Sequence, residues 1–492
     1  MNSMQALCVP SIINIFEEDI HKLLFMPSSH SEASLKNQSD KVKHGSPKIK
    51  IIAPCKVGNG VLKLDANQKD FFENKFQKIT KPICYFVPAS GSGSRMFDFL
   101  QAELSLGNSE FALKTKEFVA RLKEFSFYKA LDIDQKNRIN QFSSTLELIN
   151  FILGQQDGGL GMEYFPKGLV PFHSYGGDEK SAFYEHLIQG AALSSNKANF
   201  HFTIQLSHKR SFENALERFV KENESEVNVC FSFQDTQTDS FVFDENYAPK
   251  TKNGRYMQRP SGHGALLGNL NTIQDQFVLV KNIDNVQHHY KSKNNLRIWR
   301  VLCGVLAEVK AELKELYINP NEERLSLLSK KFQLFSKEEI VLTKDTDSLK
   351  RLINRPLRIC GMVLNEGKSG GGPFFIESNG SVSKQIVEGA QVNGLEQQNL
   401  FESGTHFNPV MMALDTFDLE GRKFDLQDYC NDDQYFVVNK IFKGEKITFM
   451  ERPGLWNGSM FNWNTIFIEI PGDTFTPVKT VLDLLNPGHI QD

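Results

Sequence analysis

Four short stretches of the chain combine residue types that bind and activate phosphate. In Gly91-Ser92-Gly93-Ser94-Arg95, glycines let backbone N–H groups approach a phosphate chain, and the arginine just beyond neutralises the same anion. Taken alone, such a loop is equally a plain tight turn. In Phe165-Pro166-Lys167-Gly168-Leu169-Val170-Pro171, the prolines reduce backbone freedom and make Lys167 a fixed cation, with a surface turn as the alternative. Gly262-His263-Gly264-Ala265 offers small residues against which a planar base could lie, whereas His263 on its own reads as a capping or packing residue. The run from Phe277 to Val280 leads through Lys281, Asn282 and Ile283 to Asp284. An aspartate at that edge of an open α/β sheet is placed to hold Mg²⁺ among phosphates. An Asx turn is the bland alternative there.

These residues need a frame. Ile83-Cys84-Tyr85-Phe86-Val87 is a buried-strand pattern that stops at the first glycine loop, and further strands are expected over 201–206, 227–233, 276–281, 357–363, 374–377 and 465–470. Helical spacing over 112–125, 182–193 and 298–316 alternates with them, which predicts an α/β fold with a mostly parallel sheet. Residues 1–80 read as an N-terminal arm, with an amphipathic helix around Ile13, Phe16, Ile20, Leu23 and Leu24, and with 27–50 either a polar helix or a linker. Residues 81–492 read as one catalytic domain, within which 101–160 is a helical insertion and 356–492 a C-terminal sugar- and phosphate-binding part.

The 56 Lys and Arg against 59 Asp and Glu give a net charge of −3, which excludes the surplus that nucleic acid or an anionic membrane would demand. No apolar run approaches a membrane span, and no leader pattern opens the chain, so a cytoplasmic protein is expected. Seven cysteines, an odd number with no close pair, read as reduced structural thiols rather than a zinc or redox motif. Asn365 to Pro373 contains Gly367-Lys368-Ser369, but with the preceding glycine misplaced for a Walker site it reads as a loop near the site. Trp456 and Trp463 lie within eight residues, as an aromatic wall or as core.

The order of glycine loop, Pro-Lys, Gly-x-Gly and strand-end aspartate resembles the UDP-sugar pyrophosphorylases, in particular the UDP-N-acetylhexosamine and UDP-glucose members. Gln385-Ile386-Val387-Glu388 is similar to their sugar-binding glutamate segment, Thr405-His406-Phe407-Asn408 to their asparagine segment, and Phe475-Thr476-Pro477-Val478-Lys479 to their lysine segment. Across most of 80–490 the chain also resembles the DUF4301 proteins. The resemblance implies a Rossmann-like, GT-A-like nucleotidyltransferase fold, a mixed sheet flanked by helices. It implies transfer of a nucleotidyl group from a nucleoside triphosphate, UTP preferred, to a sugar 1-phosphate, with Mg²⁺ as cofactor.

Arg95, Lys167 and Lys479 are then catalytic. Gly91, Ser92, Gly93, Gln234, Gly262, His263 and Gly264 hold the nucleotide, Glu388, Thr405 and Asn408 the sugar, and Asp284 the metal. Asp284 is expected to be an exposed carboxylate. Two departures stand out: Arg95 and Lys167 are 72 positions apart, so a helical insertion must bulge out and return, and Thr405 replaces the usual residue of its segment, which bears on the identity of the sugar. A nucleotide-sugar-binding protein without turnover and a glycosyltransferase are the competing functions.

Overall fold

The structure is a computed structural model that describes residues 29–106, 112–194, 198–367, 370–378, 380–442 and 445–490. The helix expected around 13–24 lies outside them. The described chain forms two compact units. The smaller consists, among the described residues, of residues 29–46, Asp239–Ser261 and Phe436–Glu451. In it a four-stranded antiparallel sheet is centred on Ser240–Phe243 and Glu445–Glu451, with Val242, Ile447 and Phe449 as its core. Residues 29–44 are helical, and Gln38 Oε1 accepts a hydrogen bond from the Phe241 N–H at 2.9 Å.

The larger unit is built on a ten-stranded mixed sheet. Its strands are β1 (Lys56–Val57), β2 (Gly60–Leu62), β3 (Ile83–Pro88), β4 (Ala198–Thr203), β5 (Val227–Ser232), β6 (Phe277–Lys281), β7 (Leu357–Leu364), β8 (His406–Phe407), β9 (Met411–Asp415) and β10 (Asn464–Glu469). The spatial order is β1-β2-β10-β7-β9-β6-β3-β4-β5, with β8 on β7. β9 and β8 run antiparallel and the other pairings are parallel. The fold class is therefore α/β, as the alternation predicted, with the mixed sheet flanked by helices that the resemblance implied. β9 was not foreseen: Met411-Met412-Ala413-Leu414 has helix-forming residue types and takes its strand geometry from neighbours on both sides.

The central strands are buried on both faces, which is why they read as unbroken apolar runs. Tyr85, Val87, Leu279, Ile359, Ala413 and Ile466 face one core, while Cys84, Phe86, Val278, Val280, Cys360 and Met412 face the other. The 26-residue helix Lys293–Ile318 and the helices Ala66–Phe76 and Ala182–Leu193 contribute to the first core, and Leu266–Thr272 to the second. The described residues between 98 and 153 form five α-helices around Phe97, Phe99, Phe118, Phe125, Phe127 and Phe151, an aromatic core that explains part of the high phenylalanine content. No helix among the described residues is long and apolar enough to cross a membrane, and the six described cysteines are unpaired.

Candidate functional site

Because β3, β5, β6, β7 and β10 share one direction, the segments that follow them emerge at one edge of the sheet. Antiparallel β9 begins at that edge, so Asn408 is brought to it as well. Ligand-binding crevices in open α/β sheets form at such edges.

The glycine loop follows β3. Buried Met96 and Phe97 anchor the short 3₁₀ turn Ser94–Phe97, leaving Arg95 exposed. The long excursion returns directly to the loop: the Lys167 N–H donates to Gly91 O at 3.1 Å and the Gly93 N–H to Phe165 O at 2.7 Å. Gly93 is needed for that approach, since a Cβ there would stand 2.9 Å from Phe165 O. A Cβ on Gly91 would meet nothing within 4 Å, so space remains above the loop.

Lys167 and Lys479 converge on one carboxylate. Lys167 Nζ lies 2.7 Å and Lys479 Nζ 3.3 Å from Asp284 Oδ2. The tail carrying Lys479 is pinned to the loop after β6: the Val478 N–H donates to Asp284 O at 3.0 Å, and the Thr476 N–H to Asn285 Oδ1 at 3.0 Å. Lys479 also carries the backbone N–H that donates to Asp483 Oδ2 at 2.8 Å, so its capping position and its proximity to Asp284 coexist. Its side chain is 63% exposed, against 12% for Lys167, so the two cations differ in freedom.

The expectation of an exposed Asp284 is corrected here: the residue is 8% exposed, because partners from residues 167 and 479 close over it. Burial alone would raise its carboxyl, but the ammonium groups of Lys167 and Lys479 outweigh burial and hold it below the usual carboxylate range. Burial lowers Lys167 against the pull of Asp284, and nearby Lys479 and Arg95 add to the lowering.

Among the described residues no group of three or more His, Cys, Asp or Glu could hold a metal. Asp284 Oδ1, however, is buried without a hydrogen-bond partner. One free carboxylate oxygen fits Mg²⁺, which commonly takes one or two protein carboxylates and completes its shell with phosphate oxygens and water.

A second cluster forms around His263. Gly262 adopts φ 76°, a conformation that suits glycine, and turns the chain into the short helix Leu266–Thr272 that leads to β6. The His263 ring stacks on Trp456 with centroids 4.0 Å apart, and its Nδ1 accepts from the Leu455 N–H at 2.9 Å. Burial pushes His263 down to about 4, so the ring is neutral at pH 7. The Trp456 indole donates to Glu388 Oε1 at 3.0 Å, and His263 Nε2 lies 3.8 Å from the same oxygen. Burial raises the Glu388 carboxyl, against the indole hydrogen bond that lowers it. Gly264 packs against the same turn, where a Cβ would stand 2.1 Å from Pro453 O.

The asparagine segment joins from the other side. The Asn408 N–H donates to Gly371 O at 2.7 Å, and Asn408 Nδ2 is buried without a partner. Thr405 is exposed, with Oγ1 2.8 Å from His406 Nδ1, and His406 Nε2 is 3.1 Å from Glu469 Oε2. Phe407 packs edge-on against Phe475 at 5.0 Å, which ties this segment to the Lys479 tail. Gln234 follows β5, with Nε2 buried and unpartnered. Ser92 Oγ is 2.8 Å from Ser94 Oγ. Lys368 and Ser369 lie outside the described residues.

Trp456 was only half legible. Two tryptophans in eight residues flagged the stretch, but not that one would bond Glu388. Arg358 was missed, and its signal was available: a charged residue inside the apolar strand 357–364 asks for a buried partner set.

Two solved structures are similar at low identity. A uridine diphosphate N-acetylglucosamine pyrophosphorylase from Trypanosoma brucei, solved with an inhibitor, is 13% identical with a TM-score of 0.48, covering 96% of this chain and 81% of that one. A UDP-glucose phosphorylase from Trypanosoma brucei is 12% identical with a TM-score of 0.42, covering 95% and 75%. No curated protein matches the chain. The family model described as a domain of unknown function, DUF4301, matches residues 17–490, and with nearly the whole length matched the chain belongs to the DUF4301 family.

Proposed function

We propose that the chain transfers a nucleotidyl group, preferably uridylyl, from a nucleoside triphosphate to a sugar 1-phosphate. The observation that carries this reading is the convergence of Lys167 and Lys479 on Asp284 Oδ2, with Lys167 hydrogen-bonded through its backbone to the Gly91 loop. An oxygen of the sugar phosphate attacks the α-phosphorus in line, the bond from that phosphorus to the bridging oxygen breaks, and pyrophosphate leaves with the electron pair. The attacking phosphate is already an anion, so positioning and charge neutralisation suffice without a protein nucleophile.

In this scheme the Gly91, Ser92 and Gly93 backbone and Arg95 hold the triphosphate, while Lys167 and Lys479 exchange part of their contact with Asp284 for phosphate oxygens. Gly262, His263, Gly264 and Gln234 position the base. Glu388, Thr405 and Asn408 orient the sugar, and the unpartnered Asn408 Nδ2 would gain an acceptor. Asp284 would hold Mg²⁺ through Oδ1, and the ion when bound supplies further neutralisation of phosphate charge.

The test is pyrophosphate release from UTP, CTP, GTP, ATP and dTTP, each with a panel of sugar 1-phosphates and Mg²⁺. Release with at least one pair supports the reading. Tight binding of a finished UDP-sugar without turnover on any pair would replace it by a nucleotide-sugar-binding function, to which the mutual neutralisation of Asp284 and the lysines is also suited.

A further inference from the structure

We propose that a cavity in the larger unit, lined by none of the candidate site residues named above, binds a small organic phosphate and passes its occupancy to the His263, Trp456 and Glu388 cluster. The cavity measures about 380 Å³, within the range of small-molecule sites. Arg351, Arg355 and Lys384 line it against a single carboxylate, Glu339. Lys384 is 7% exposed, with its ammonium donating to Gln333 O. Arg355 reaches Glu339 only at 3.8 Å, and Arg351 makes no ion pair among the described residues, so both guanidinium forks have donors to spare. Such forks match phosphate oxygens in pairs. Trp463 also lines the cavity, and its buried indole N–H has no acceptor within the protein.

Behind the cavity sits Arg358, fully buried. Its guanidinium bonds only neutral acceptors: Thr465 Oγ1 at 2.8 Å, Gln385 Oε1 at 3.3 Å and Trp456 O at 2.7 Å. A buried cation without a carboxylate is costly, and an anion in the adjoining cavity is the counter-charge it lacks. Thr465 and Gln385 are themselves part of the cavity wall. A ligand that shifts them shifts Arg358, and through it the backbone of Trp456, whose indole holds Glu388.

The experiment is calorimetric titration of the full chain with glucose 6-phosphate, which has no anomeric phosphate to serve as a sugar 1-phosphate. Inorganic phosphate and glucose are the comparison probes. Glucose 6-phosphate is expected to bind, at least tenfold tighter than either. Arg351→Gln with Arg355→Gln should weaken it at least tenfold at unchanged melting temperature, whereas Lys479→Ala should leave it unaltered. Arg351 is exposed, so Arg351→Gln alone decides, by a loss of at least threefold, should the double variant not fold. Failure of glucose 6-phosphate to bind, affinity for inorganic phosphate equal to it, or loss on Lys479→Ala in place of the arginine changes would each overturn the cavity assignment. The coupling rests on the nucleotide site proposed above: saturating glucose 6-phosphate should change UTP affinity at least threefold, and no change would overturn the coupling. Glucose 6-phosphate binding in a chain that does not bind UTP would sink the nucleotide reading and leave the cavity standing.

Discussion

The two ends of the candidate site are built on different physics. Around Asp284 the contacts are between full charges, drawn from residues 167, 284 and 479, and one partner, Lys479, is largely exposed. Around His263 they are held by shape: a stacked ring pair, an indole hydrogen bond to Glu388 and glycines without room for a side chain. Charge-built contacts can be traded for a ligand's charges at little geometric cost, while shape-built ones must already fit. On the function proposed above, the first end would take the phosphates that change during the reaction and the second the base and sugar that do not.

The largest effect is expected from Asp284→Asn, which should lower turnover at least ~1,000-fold, on the scale of losing a preorganised charged group together with the metal proposed for it. Because Lys167 would be left buried and unpaired, it should also cost about 3 kcal/mol of stability, read from urea unfolding. Adding Lys167→Met should recover most of the stability and none of the rate, and unaltered stability in Asp284→Asn would show that the charged end is not held by the pair.

Lys479→Ala comes next, with ~100-fold lower turnover and a melting temperature within about a degree, given its exposed side chain. A near-normal rate would return Lys479 to a purely capping role. Trp456→Phe tests the shape-built end: it keeps the stack but loses the bond to the Glu388 carboxyl, at about 1.5 kcal/mol, a roughly tenfold rise in KM for the sugar phosphate with kcat little changed. A fall in kcat instead would mean that this end takes part in the transition state.

The smallest effect concerns pH. Burial depresses His263 to about 4, so its ring stays neutral and uridine affinity should be flat from pH 8 to 5.5. Stability behaves differently. His186, His201 and His489 are likewise depressed, chiefly by burial, to about 3, 4 and 3, and the unfolded chain takes up protons below about pH 6.5 that the folded chain refuses. Their contribution is complete above that pH and declines as pH falls towards 4, so melting temperatures should drop from pH 6.5 to 5. A rise there would contradict the depressed values.

Local pattern revealed what local physics determines. β3 and β6 were legible because strands buried on both faces must be apolar throughout, and the breaks after Val87 and Val280 placed Gly91 and Asp284 near strand ends. The clasp itself was not legible. Asp284 meets partners 117 and 195 positions away, and nothing in its neighbourhood reports that both would cover it, hence the mistaken expectation of exposure. Met411–Asp415 was missed for a related reason, since its strand state comes from β6 and β7 on either side.

The distance along the chain from Asp284 to Lys479 also sets a schedule. At roughly 10 residues per second, about 20 seconds separate the synthesis of the aspartate from that of its second lysine. Through that interval a nascent chain can carry the Lys167 pair but not the closed clasp. On the ribosome, then, the clasp closes only once residue 479 has been made, and a chain cut short between Asp284 and Lys479 keeps the Lys167 pair and lacks the more exposed of the two cations.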